Sequence, residues 1–80
     1  MTIKQATSRM LQDIRWQYNR EQKTTDKELA KMIGITPASF SRLSTGVTTP
    51  KIMTWQKINQ LHEKTTSLER HMEIIGRLSL

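Results

Sequence analysis

The stretch Thr25-Asp26-Lys27-Glu28-Leu29-Ala30-Lys31-Met32-Ile33-Gly34-Ile35-Thr36-Pro37-Ala38-Ser39-Phe40-Ser41-Arg42-Leu43-Ser44-Thr45-Gly46 decides the reading of this chain. It opens with a capping box. The Thr25 hydroxyl is placed to accept from the Glu28 backbone N–H, and the Glu28 carboxylate to reach back to the Thr25 N–H. Leu29, Ala30, Met32 and Ile33 then supply the buried face of a short helix. Gly34 ends it, because glycine alone takes the left-handed turn without a steric cost. A second short helix begins almost at once, with Thr36 as N-cap and Pro37 in the first helical position, where a missing N–H costs nothing. Phe40 and Leu43 share its inner face, and Ser44-Thr45-Gly46 closes it.

Each side of this pair has a physical role. Ala30 is small where two helices cross closely, and Ile35 fills the angle between them. Leu29, Ile33, Phe40 and Leu43 lock both helices to a core. A short-chained surface is left on the second helix: Thr36, Pro37, Ala38, Ser41, Arg42 and Thr45. A helix so placed can enter the major groove of B-DNA while the preceding helix crosses the backbone.

Outward from this pair the pattern is helical throughout. Before it, Ala6, Met10, Ile14 and Tyr18 recur every four residues and Leu11 widens the stripe, predicting a helix over Ala6 to Arg20. Trp16 falls off that face and reads either as the edge of the core or as part of a partner surface. After it, Val47-Thr48-Thr49-Pro50 forms a loop, with Pro50 at or near the start of a fourth helix. That helix carries Trp55, Ile58 and Leu61, with Ile52 and Met53 at its entry. A fifth begins at Thr66, where Thr66-Ser67-Leu68-Glu69 is another capping box, and its expected apolar positions are Leu68, Met72, Ile75 and Leu78. That stripe either closes the core or extends to a dimer contact, with Leu78 and Leu80 exposed. No alternating strand pattern and no Asn-Gly or Asp-Gly hairpin turn is present. The fold class is therefore all-α, one domain of five helices over residues 1–80.

Bulk composition narrows the function. A chain of 80 residues buries one modest core, with a stability on the order of 5 kcal/mol, which a dimer would reinforce. The absence of cysteine removes disulfides and thiolate chemistry. The five methionines read as core filler. His62 and His71 have no further ligand at metal spacing, and Glu63, Glu69 and Glu73 read as solvated charges. Without a nucleophile beside a base, or a glycine-rich phosphate loop, the chain reads as a non-enzyme with no cofactor, no metal and no small-molecule ligand. Neither a secretion signal behind Met1-Thr2-Ile3-Lys4-Gln5 nor a membrane-length apolar run is evident, so the expected location is the cytoplasm. The net charge of +6 is spread, as +3 over residues 1–24, +1 over 25–50 and +2 over 51–80. Such a balance favours a polyanionic partner.

The pattern resembles the helix-turn-helix family of phage repressors and Cro proteins, the Xre-type regulators. The resemblance runs through Glu28-Leu29-Ala30, Gly34-Ile35-Thr36, Ser39-Phe40-Ser41-Arg42-Leu43 and Gly46, then on to the Pro50 loop and the Trp55/Ile58/Leu61 helix, covering about residues 10–62. It implies a five-helix, lambda-repressor-like domain that binds a double-stranded operator as a homodimer and regulates transcription, as a phage or prophage repressor does. Carried over residue by residue, the base-reading positions are Thr36, Pro37, Ala38, Ser41 and Arg42. Arg42 is the strongest of them, since its fork can bond guanine O6 and N7 together. Phosphate contacts fall to Ser39, Thr45, Thr48, Thr49 and Lys51, and to the N-terminal amides of the second and fourth helices. Some positions depart from the family. Pro37 and Ala38 stand where relatives often carry glutamine, and Asp26 where a neutral phosphate-binding side chain is common, so its carboxylate would repel a phosphate. The connection between the first two helices is also about one turn longer than usual. Two other readings fit a basic helical domain of this kind: an antitoxin that binds both its operator and a toxin, and a DNA-architecture or recombination-directionality protein.

Overall fold

In a computed structural model, residues 1–78 are described and form five helices, with no strand among them. Helix α1 spans Ile3–Glu21, α2 Asp26–Ile33, α3 Pro37–Ser44, α4 Ile52–Thr65 and α5 Leu68–Ile75. Among the described residues no helix is long and apolar enough to cross a membrane. Leu80 lies outside the described residues.

Helix α1 begins three residues earlier than its apolar stripe predicts. The reason is a full capping box at Thr2, whose hydroxyl accepts from the Gln5 N–H at 3.2 Å while the Gln5 side chain accepts from the Thr2 N–H at 2.9 Å. Ala6, Met10, Leu11 and Ile14 are fully buried, and Tyr18 packs on the edge of the core. The core is completed by Leu29, Ala30 and Ile33 from α2, Phe40 and Leu43 from α3, Ile58 from α4 and Ile74 from α5. Ile35, Trp55 and Leu61 pack against it while keeping some exposure. Thus α1 is the common support of α3, α4 and α5.

The α2–α3 corner follows the sequence closely. Gly34 is left-handed (φ +86°), and its N–H closes α2 onto the Ala30 and Lys31 carbonyls. The Thr36 hydroxyl accepts from the Ser39 N–H at 3.1 Å, with Pro37 in the first turn. Gly46, also left-handed (φ +76°), ends the turn after α3. One cap differs in detail. The Thr25 hydroxyl does accept from the Glu28 N–H at 3.3 Å, but the Glu28 carboxylate turns to the Thr25 hydroxyl, not to its N–H.

Elsewhere four expectations are corrected. Met32 is 52 % exposed, because Leu29, Ala30 and Ile33 already fill the inner face of this short helix. Met53 and Met72 are exposed as well, and only Met10 among the methionines is fully buried. Pro50, by contrast, stands near the start of α4 as expected, immediately before its cap, Lys51. Helix α5 is capped by Ser67, whose hydroxyl accepts from the Arg70 N–H at 3.1 Å; the Thr66 hydroxyl instead donates to the His62 carbonyl of α4 at 2.7 Å. The buried face of α5 is accordingly His71 and Ile74, with Ile75 and Leu78 half-covered, and Leu68 and Met72 point outward.

Candidate nucleic-acid interface

Helix α3 presents its outer side freely. Thr36, Pro37, Ala38, Ser41, Arg42 and Thr45 are all exposed, while Phe40, Leu43 and Ser44 are buried behind them. The division follows from helical geometry: eight residues anchored at Phe40 and Leu43 leave the opposite arc uncovered. Ser44 is tied inward by its own hydroxyl, which donates to the Phe40 carbonyl at 2.7 Å, and its carbonyl accepts from the Ser8 hydroxyl of α1. The back of α3 is therefore held by polar as well as apolar contacts.

A groove runs between α3 and the loop to α4. Thr36, Ser39 and Arg42 line one side, and Thr48, Thr49, Lys51 and Thr54 the other. The structure thus gathers six sequence-nominated residues, Thr36, Ser39, Arg42, Thr48, Thr49 and Lys51, about one concave surface. Ser39 is half-buried, and its hydroxyl accepts from that of Thr36 at 3.0 Å. Thr45 is not part of this groove. It sits with Gly46 in a second depression on the α1 side, beside Gln5, Arg9 and Gln12, and its hydroxyl is engaged by the Ser41 carbonyl at 3.0 Å. Arg9 and Gln12 were not nominated from sequence, because nothing in a helical stripe reveals which of its polar residues will border another helix.

Asp26 is not a bare carboxylate. Arg15 of α1 grips it with two nitrogens, Nε to Oδ1 at 3.1 Å and a terminal nitrogen to Oδ2 at 2.9 Å. The pair is neutral overall, so the repulsion expected at the start of α2 is largely cancelled. On the outer side of α1, Trp16 is 62 % exposed, well outside the core, with the Arg20 guanidinium 5.1 Å from its ring centroid.

The polar side chains that the sequence reading set aside meet on the far side of α1. His62 of α4 is fully buried; its Nδ1 lies 2.9 Å from the His71 Nδ1 and its Nε2 2.9 Å from the Asp13 carboxylate. Arg70 donates to the same carboxylate at 2.9 Å. Burial by itself would raise the Asp13 carboxyl, but the bonds from Arg70 and His62 outweigh it and hold the group below its ordinary range. His62 is displaced downward, chiefly by burial, against the opposing pull of Asp13. Among the described residues no group of three or more His, Cys, Asp or Glu side chains is arranged to hold a metal ion.

Comparison with family models, curated proteins and solved structures yields no match, so the chain's own geometry carries the functional reading.

Proposed function

We propose that this chain is a sequence-specific, double-stranded-DNA-binding regulator of transcription, in which α2 and α3 form a helix-turn-helix of the repressor and Cro kind and α3 is the reading helix. The observation that carries this reading is the uncovered outer arc of α3, where Arg42 stands among short side chains and adjoins the groove of Thr48, Thr49 and Lys51. Short side chains allow the helix backbone to approach base edges closely, and a single guanidinium supplies bidentate recognition. The hydroxyls and the lysine beside it suit phosphate oxygens, which fix register without reading sequence. The spread positive charge adds attraction that depends on salt.

Two copies related by a two-fold axis would set their α3 helices about 34 Å apart, in successive major grooves. Repression by occluding polymerase is the simplest consequence. Selection of bound sites from random double-stranded DNA tests the proposal: the expected outcome is a palindromic site with half-sites one helical turn apart. Recovery of no preferred sequence would overturn sequence-specific binding, and a single unrepeated site would overturn the dimer. Arg42→Ala is expected to weaken the selected site by about 1–3 kcal/mol and to relax preference at one base pair.

A further inference from the structure

The Asp13–His62–His71 chain has a proton capacity fixed by its geometry. An ionised carboxylate only accepts, so His62 must direct Nε2–H at Asp13, which in the neutral ring leaves Nδ1 as an acceptor. His71 then donates from its own Nδ1 across the 2.9 Å contact. One further proton is accommodated: it enters at His71 Nε2, and the Nδ1 proton lies between the rings. A second cannot be. Both Nδ1 atoms would then carry hydrogens aimed at each other, with no acceptor between them.

We propose that this contact is a one-proton latch for α5: the helix stays docked while the two imidazoles hold at most one extra proton, and is released when both are charged. The surroundings favour that outcome. From α1 the pair faces Asp13; from α5 it faces Arg70, which is bound to Asp13 and has Glu73 3.6 Å away. On α4, Glu63 and Lys64 follow His62 and are exposed. With both rings charged, three cations including Arg70 crowd one carboxylate, since Glu73 reaches only Arg70 and Arg77. His62 is fully enclosed, whereas His71 retains 7 % exposure, so α5 is the part that moves. The helix is also lightly held, with Ile74 its one fully buried apolar residue and only Thr66-Ser67 joining it to α4.

The direction with pH follows. Burial holds His62 below its ordinary 6.5 in the docked form, and release restores it, so the released form binds more protons. Docking is thus fully supported above about pH 6.5 and is lost as pH falls through the docked His62 value. Asp13, held below its ordinary range, stays ionised meanwhile.

Amide hydrogen exchange and imidazole ¹⁵N shifts, followed on the full chain from about pH 8 to about pH 5, test the latch. After correction for intrinsic exchange, protection of residues 70–76 should fall by up to about tenfold per pH unit for each extra proton bound, in step with the second ring protonation, while α1 to α3 stay protected. Loss of α5 together with α1–α3 would overturn the latch, as would unchanged α5 protection while both rings titrate. His71→Gln, whose amide can turn its oxygen toward a charged His62 Nδ1–H, should shrink the pH dependence of α5 protection to the part that burial of His62 alone gives; a dependence of unchanged size in that variant would equally overturn the proposal.

Discussion

The α2–α3 corner and the His62–His71 contact each join two successive helices, yet they are specified in opposite ways. At the corner the interactions that set its shape are local, although the Ser8–Ser44 bond across 36 positions and the shared core tie it to α1. Gly34, the Thr36 cap, Pro37 and the Phe40/Leu43 pair act within a few residues of one another. The histidine contact joins α1, α4 and α5 through bonds spanning 9, 49 and 57 positions of sequence. Local interactions fix the shape of an element, and the long-range polar ones fix which elements stay together. The corner contains no histidine, whereas the proposed latch makes the docking of α5 weaken in mild acid.

The largest expected effect lies in the corner. Phe40→Ala removes the largest fully buried side chain and should cost about 3–5 kcal/mol in chemical denaturation, with all helices lost together. If α4 and α5 survived that change, the two regions would be separate folding units and the contrast would be sharper than the shared core implies. Asp13→Ala strikes the other region, leaving the buried His62 Nε2–H without its acceptor. A loss of about 1–3 kcal/mol is expected, seen first as reduced exchange protection in α5. The same carboxylate gives the acid limb: its contribution is present above the ordinary carboxylate pKa and lost as pH falls through its lower folded value.

Smaller changes probe the boundary. Thr36→Ala removes the cap of α3 and should cost about 1 kcal/mol, measurable by denaturant titration and uniform across the molecule. Arg15→Ala breaks the pair with Asp26, whose partners are 39 % and 42 % exposed, and should shift stability by about 0.5 kcal/mol. A much larger loss would mean that the α1–α2 connection depends on this ion pair as strongly as α5 depends on Asp13.

The same contrast explains what could be read from the chain unaided. All five helices and nearly all core residues follow from apolar spacing, caps and glycine. The start of α1 was missed because the Thr2/Gln5 box precedes the apolar stripe. Half of the expected α5 stripe is buried: Ile75 and Leu78 pack against the core, Leu68 and Met72 do not, and His71 and Ile74 take their place because histidine reads as polar in sequence. Which face is buried depends on Asp13, a residue far away in the chain that satisfies His62 and binds Arg70. At the candidate interface, the outer positions of α3 were legible from helical geometry. The pairing of Asp26 with Arg15 and the bordering Arg9 and Gln12 required α1 to be placed in space.

The unequal burial of the two tryptophans has an optical consequence. Trp16 stands in water near a guanidinium, whereas Trp55 packs against the core one residue from Thr54 of the α3–α4 groove. Iodide should quench the first and spare much of the second, and Trp16→Phe should leave a single blue-shifted emitter. That remaining fluorophore lies next to the α3–α4 groove, so its intensity and anisotropy would report unfolding and, under the proposed function, complex formation without an added label.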